Sequence, residues 1–293
     1  MGGCVGFRAA ELETGVISRG DHASEARGRV RGRAPVLRGA VYRPGVDEVT
    51  RALADQLDEL RTLVADLDEG GLRAASACPG WSISDVLLHL AQTNEIATAS
   101  AMGSFAEATE MWRGAAGDDV DALAGSAVER DRGASGDQIR QRWQSSADAM
   151  VAAFAGGDPA RRVMWVVGDM AARTLATTRI AETWIHAGDI AAGMGVVLPP
   201  TDRLRHVARL VHRTLPYAFA RAGQDGPGAV RFDLTASDGA RWEFGDDDAP
   251  TVVTGSAVDL CRVAGQRAAA ANVDLRAEGP DAAGVLELMR TFA

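Results

Sequence analysis

The apolar residues of this chain recur at two different periods, and the change from one to the other limits the folds open to it. From Val49 through Leu53, Leu57, Leu60, Leu63 and Val64 the spacing is three and four with charged residues between, the pattern of a helix with one buried face. Beyond Gly223 it falls towards two: Val230-Arg-Phe-Asp-Leu234 and Arg241-Trp-Glu-Phe244 flank a turn at Ser237-Asp-Gly239, which reads as a hairpin. The expected fold is therefore α+β, a bundle of long helices followed by a small mixed module. Helices are predicted over 46–69, 82–102, 137–155 and 170–193, with a fifth from Thr201 as N-cap to about Ala222. Ser82 and Asp85 stand at capping-box spacing for the second of these. Residues 103–135 read as short helical pieces and loop. In the module, strands are expected over 251–254 and 273–277, and helices over 256–266 and 280–292. Residues 1–45, Gly- and Arg-rich without helical period, read as a disordered or extraneous tail. The division is thus 1–45, 46–224 and 225–293.

Composition removes several function classes. None of the 31 basic residues is lysine, which excludes Schiff-base and phosphate-loop lysine chemistry. The net charge is −9, and because the tail holds eight arginines against four acids the remainder carries about −13, no footprint for nucleic acid. No apolar run approaches the roughly 20 residues of a membrane span, and no signal peptide opens the chain, so a cytoplasmic protein is expected. Cys4, Cys78 and Cys261 offer no close pair and read as reduced thiols.

The chemistry rests on few residues. Of five histidines, His22 lies in the tail, and His206 and His212 are six apart, on different helix faces. His89 shares a stripe with Val86, Leu90, Thr93 and Ala97, where an apolar residue was due; a core histidine with one hydrogen bond and a ligand both fit. In Arg179-Ile-Ala-Glu182-Thr-Trp-Ile-His186-Ala-Gly-Asp189, Glu182 and His186 are at i,i+4, close enough to reach one cation or to form a surface pair. Arg179 and Asp189 extend the stripe as supporting residues. Four polar groups in a bundle interior indicate a metal or a buried network.

Taken together, Cys78-Pro-Gly-Trp-Ser-Ile-Ser-Asp-Val-Leu-Leu-His89-Leu, Arg179 through Asp189-Ile, Trp242-Glu-Phe-Gly245 and Gly265-Gln-Arg267 resemble the mycothiol-dependent maleylpyruvate isomerase family, over about Val46 to Ala293. The resemblance implies a DinB-like metal-binding four-helix bundle followed by a sterol-carrier-like α+β module. It implies a divalent ion, usually zinc, on His89, Glu182 and His186, and a part in activity for Arg267. Two imidazoles and one carboxylate leave a coordination position open, as catalytic zinc sites do; ferrous iron accepts the same set. Arg267 could pair with a substrate carboxylate or form an interdomain salt bridge, and Asp189 could fix the tautomer of a ligand histidine or be a solvated acid.

The leading expectation is a metal-dependent isomerase or S-transferase acting on a small electrophile with mycothiol. A lyase, cyclase or hydrolase working without thiol is the second reading, and a non-catalytic metal- or lipid-binding protein the third. The substrate is a small molecule in either enzyme reading; neither nucleic acid nor membrane is expected as a partner.

Overall fold

A computed structural model of the chain describes residues 46–110 and 120–291; the tail expected over 1–45 lies outside them, as does the end of the predicted closing helix. Helix α1 (Glu48–Leu63) begins at Asp47, whose carboxylate accepts from the N–H groups of Val49 and Thr50. After the short α2 (Glu69–Arg73) comes α3 (Ile83–Met102), then α4 (Phe105–Thr109), α5 (Val120–Asp131) and α6 (Gly136–Ala155). A two-residue ladder of β1 (Arg162–Val163) and β2 (Met170–Ala171) leads into α7 (Ala172–Gly193). Helices α1, α3, α6 and α7 pack as a bundle around Leu53, Leu57, Leu60, Leu88, Trp143 and Met150. Between α6 and α7, α3 is buried nearly all round, which is why its apolar residues form no single stripe.

Helix α8 (Leu204–Arg221) packs on α7 and carries the module on its other side. Thr201 does not cap it: Thr201 accepts from the Leu204 N–H through its backbone carbonyl, and its hydroxyl is buried without a partner. A reverse turn, not a side chain, starts the helix. The module comprises β3 (Val230–Thr235), β4 (Arg241–Phe244), β5 (Thr251–Ser256), α9 (Ala257–Ala264), β6 (Leu275–Glu278) and α10 (Ala282–Leu288). Strand order is β4-β3-β5-β6, with β3 and β5 parallel and the other pairs antiparallel. The hairpin pairs Phe232 with Phe244 and Leu234 with Trp242, so the alternate apolar residues of both arms turn inward, as the period of two requires. Among the described residues no helix is long and apolar enough to cross a membrane.

The start of α3 decides where His89 falls. Ser82 and Asp85 form a reciprocal capping box, and the buried Asp85 carboxylate also receives two bonds from Arg132. Burial pushes the Asp85 carboxyl up, but the Arg132 and Ser82 hydrogen bonds outweigh it and hold the group below its ordinary 3.8. Asp85→Asn is expected to cost about 1–2 kcal/mol at neutral pH. Because the folded pKa is depressed, that contribution is present above the unfolded value and lost as pH falls through the folded one. The gap in urea midpoint between wild type and variant should thus hold steady down to about pH 5 and shrink below about pH 4; an undiminished gap at pH 3 would show that the carboxylate charge is not its source.

Candidate metal centre

The loop before α3 is tied down at both ends. Ser76 N–H donates to the Trp81 carbonyl, Ile83 N–H to that of Ala74, and Ala77 N–H to that of Asp189 on α7. This sets the Trp81 ring 5.4 Å from the His89 ring, one helical turn beyond Asp85. On α7, Arg179, Glu182, His186 and Asp189 fall within an arc of about 80° at 100° per residue. The two helices bring these groups face to face in the bundle interior.

His89 Nε2 lies 2.8 Å from Glu182 Oε1, and His186 Nε2 lies 3.6 Å from the same oxygen. The imidazole rings stand edge to face with centroids 5.0 Å apart. Both histidines are 2% exposed, whereas the Glu182 side chain keeps 15% of its surface open. Behind His186, Asp189 Oδ2 sits 3.0 Å from Nδ1, so the ring donates there and turns its Nε2 towards Glu182. Arg267, from the turn after α9, grips Asp189 with Nε to Oδ1 and Nη2 to Oδ2, both at 2.7 Å. Of the two roles open to Arg267, the structure forms the salt bridge between module and bundle.

The turn that delivers Arg267 is closed by Arg267 N–H to the Arg262 carbonyl and Gln266 N–H to that of Val263, with Gln266 in the left-handed region at φ 57°. Gly265 precedes it because a Cβ there would come within 3.0 Å of Ile185 on α7 and of the Cys261 carbonyl. The Gly-Gln-Arg order thus lets α9 approach α7 and turns the arginine back towards Asp189.

Burial and charge oppose one another at every titrating group. Burial holds His89 below the ordinary imidazole value despite its bond to Glu182. For His186 burial acts the same way but is outweighed by Asp189 and Glu182, which raise it. Burial pushes Glu182 up, yet hydrogen bonds from His186 and His89, with the charge of Arg179, hold it well below the usual carboxylate range.

The donor set fits a divalent ion. A tetrahedral ion with ligands at about 2.0–2.2 Å separates them by roughly 3.4 Å, and the two measured distances, 2.8 and 3.6 Å, bracket that value. Cys78, His186 and Asp189 also stand close together, with Cys78 Sγ 3.1 Å from Asp189 Oδ2. That trio is a poorer candidate, because Arg267 already holds both Asp189 oxygens. Cys261 is a free thiol, as expected, and burial pushes its pKa up, beyond reach as a nucleophile.

The sequence assigned no partner to four neighbours: Thr93, which accepts from Arg179; Trp81 and Trp165 against His89 and Arg179; and Arg132 on Asp85. Each is held by a long-range contact without a spacing rule.

A model of the mycothiol maleylpyruvate isomerase N-terminal domain matches residues 53–191, which span all of α3 and nearly all of α7. Uncharacterised proteins of Mycobacterium tuberculosis strains CDC 1551 / Oshkosh and ATCC 25618 / H37Rv are each 32% identical over 243 residues, 82% of this chain and 93% of the relative. The crystal structure of the mycothiol-dependent maleylpyruvate isomerase superposes with a TM-score of 0.55 at 20% identity, covering 80% of this chain and 95% of that one. That of its histidine-to-alanine mutant gives 0.53 at 18%, with the same coverage. These likenesses establish a shared fold.

Metal analysis after gel filtration is the direct check. Wild type is expected to retain about one divalent ion per chain, and His89→Ala or Glu182→Ala to lose it while keeping helical circular dichroism. Asp189→Asn should weaken metal affinity by about 10–100-fold, the usual cost of removing a partner from a ligand histidine. Unchanged occupancy in either alanine variant would remove the ligand assignment.

Proposed function

The chain belongs to the mycothiol-dependent maleylpyruvate isomerase family, and on that premise we propose that it is a metal-dependent isomerase or S-transferase of small electrophilic substrates. His89, Glu182 and His186 would hold the ion, zinc in preference to iron. The observation that carries the reading is the convergence of two imidazole Nε2 atoms on one Glu182 oxygen in a buried layer. Residues 46–224 would supply the metal centre and 225–293 the arginine behind it.

When bound, a divalent ion would lower the pKa of a coordinated thiol or polarise an acceptor carbonyl, an effect worth several kcal/mol in the transition state. The residues prepare that environment. Asp189 orients the His186 ring, and Arg267 keeps Asp189 ionised and in place. Trp81 packs against His89 and limits water on that side. The partly open Glu182 marks where a substrate reaches the layer. With mycothiol as co-substrate, the thiolate adds to one carbon of a cis double bond and the electron pair moves onto the conjugated carbonyl. The resulting single bond rotates, and expulsion of the thiolate restores the alkene in trans form.

A lipid-carrying role draws no support from the module. The cavity between it and α8, lined by His212, Leu215, Pro216, Pro227, Gly228 and Val230, is about 230 Å³, below the roughly 300–1,000 Å³ of ordinary ligand pockets.

Titration of the zinc-loaded protein with mycothiol by calorimetry tests the proposal. Saturable binding is expected, lost on chelation, together with mycothiol-dependent conversion of a cis-enoyl ketoacid seen by proton NMR. Metal retention without mycothiol binding would replace this reading with thiol-free lyase, cyclase or hydrolase chemistry.

A further inference from the structure

Arg179 is 3% exposed, yet of its five N–H donors the described residues satisfy one: Nη2 donates to Thr93 Oγ1 at 2.8 Å. Its Nε is buried without a partner, and no carboxylate among the described residues lies within 4.0 Å of the guanidinium. The Trp165 ring, 6.0 Å from Cζ, covers one side. A buried guanidinium with this little compensation is costly unless an anion completes it. Two partly buried arginines nearby are paired with carboxylates: Arg267 with Asp189, and Arg132 with Asp85 and Glu129.

The position is specific. Thr93 follows His89 by four residues on α3, and Arg179 precedes Glu182 by three on α7, so the Arg179–Thr93 pair repeats the His89–Glu182 pair about one helical turn, some 5 Å, along the same two helices. Thr93 can serve both sides, since its hydroxyl donates to the His89 carbonyl at 3.0 Å while accepting from Arg179. Glu182 acts on Arg179 through its charge and not through a hydrogen bond, its Oε1 being shared between two histidines. Once Glu182 serves a divalent ion, the local charge becomes more positive still.

We propose that Arg179 is the anion-binding residue of the site, receiving a carboxylate of the substrate about one helical turn from the metal layer. This rests on the functional reading above and narrows it: the substrate is a small carboxylic acid whose reacting carbonyl or alkene stands about 5 Å from its charged end. Arg267, held by Asp189, is a positioning residue, not the carboxylate partner.

The test is calorimetric titration of the zinc-loaded full chain with maleate as probe and dimethyl maleate as its uncharged counterpart. Maleate is expected to bind wild type and its diester at least tenfold more weakly. Arg179→Gln should weaken maleate about 10–100-fold with zinc content and circular dichroism unchanged. Arg179→Lys, which keeps the charge, should fall between, and Thr93→Val, which frees the guanidinium, should lose a few-fold; these two carry the test if the glutamine variant does not fold. Equal maleate affinity in wild type and variants, equal binding of the diester, or loss of zinc in Arg179→Gln would each overturn the proposal. The underlying reading fails by a different signal, absent mycothiol binding to wild type, which leaves the maleate comparison intact.

Discussion

The Asp189 carboxylate, 3% exposed on α7, meets His186 with one oxygen and the Arg267 guanidinium with both. Burial alone would push its pKa up, but these two partners hold it down and keep it charged. Losing either would leave an under-compensated charge in the bundle, a defect of several kcal/mol by the general behaviour of buried ion pairs. The same carboxylate sets the direction of the His186 imidazole, and its backbone carbonyl accepts from Ala77 in the loop before α3. Module, loop and histidine layer are joined at this one residue.

From that junction the remaining chemistry follows by helical geometry. Two antiparallel helices, α3 and α7, place His89 against Glu182 in one layer and Thr93 against Arg179 in the next. The first layer is rich in lone pairs and suits a cation. The second presents donors and suits an anion. A position suited to a cation and one suited to a carboxylate, a few ångströms apart, are what the proposed chemistry on a ketoacid would use.

Much of this was legible from residue spacing. The period of three and four located α1 and α6, and the alternation in Val230–Leu234 and Arg241–Phe244 fixed the hairpin, because burial of one face imposes both patterns. Ser82 and Asp85 announced the start of α3 because a capping box is a local interaction. The short ladder at Arg162–Val163 and Met170–Ala171 escaped notice since two residues cannot display a period. Thr201 misled because a good capping residue does not oblige the chain to use it. Within the site, spacing paired Glu182 with His186, but the approach of His89 from another helix came from resemblance. The partnership of Arg179 with Thr93, 86 positions away, had no local trace.

The turn at Gly265-Gln266-Arg267 bears on how the two parts of the chain communicate. A left-handed glutamine is about 1–2 kcal/mol less comfortable than glycine would be, yet it stiffens a bend that glycine would leave loose, and the arginine that follows leans on the carboxylate steering an imidazole. The sheet is therefore a lever whose short arm ends at the ring of His186. A substitution far out on the sheet that shifted this turn would reach the His186 ring through Arg267 and Asp189 alone.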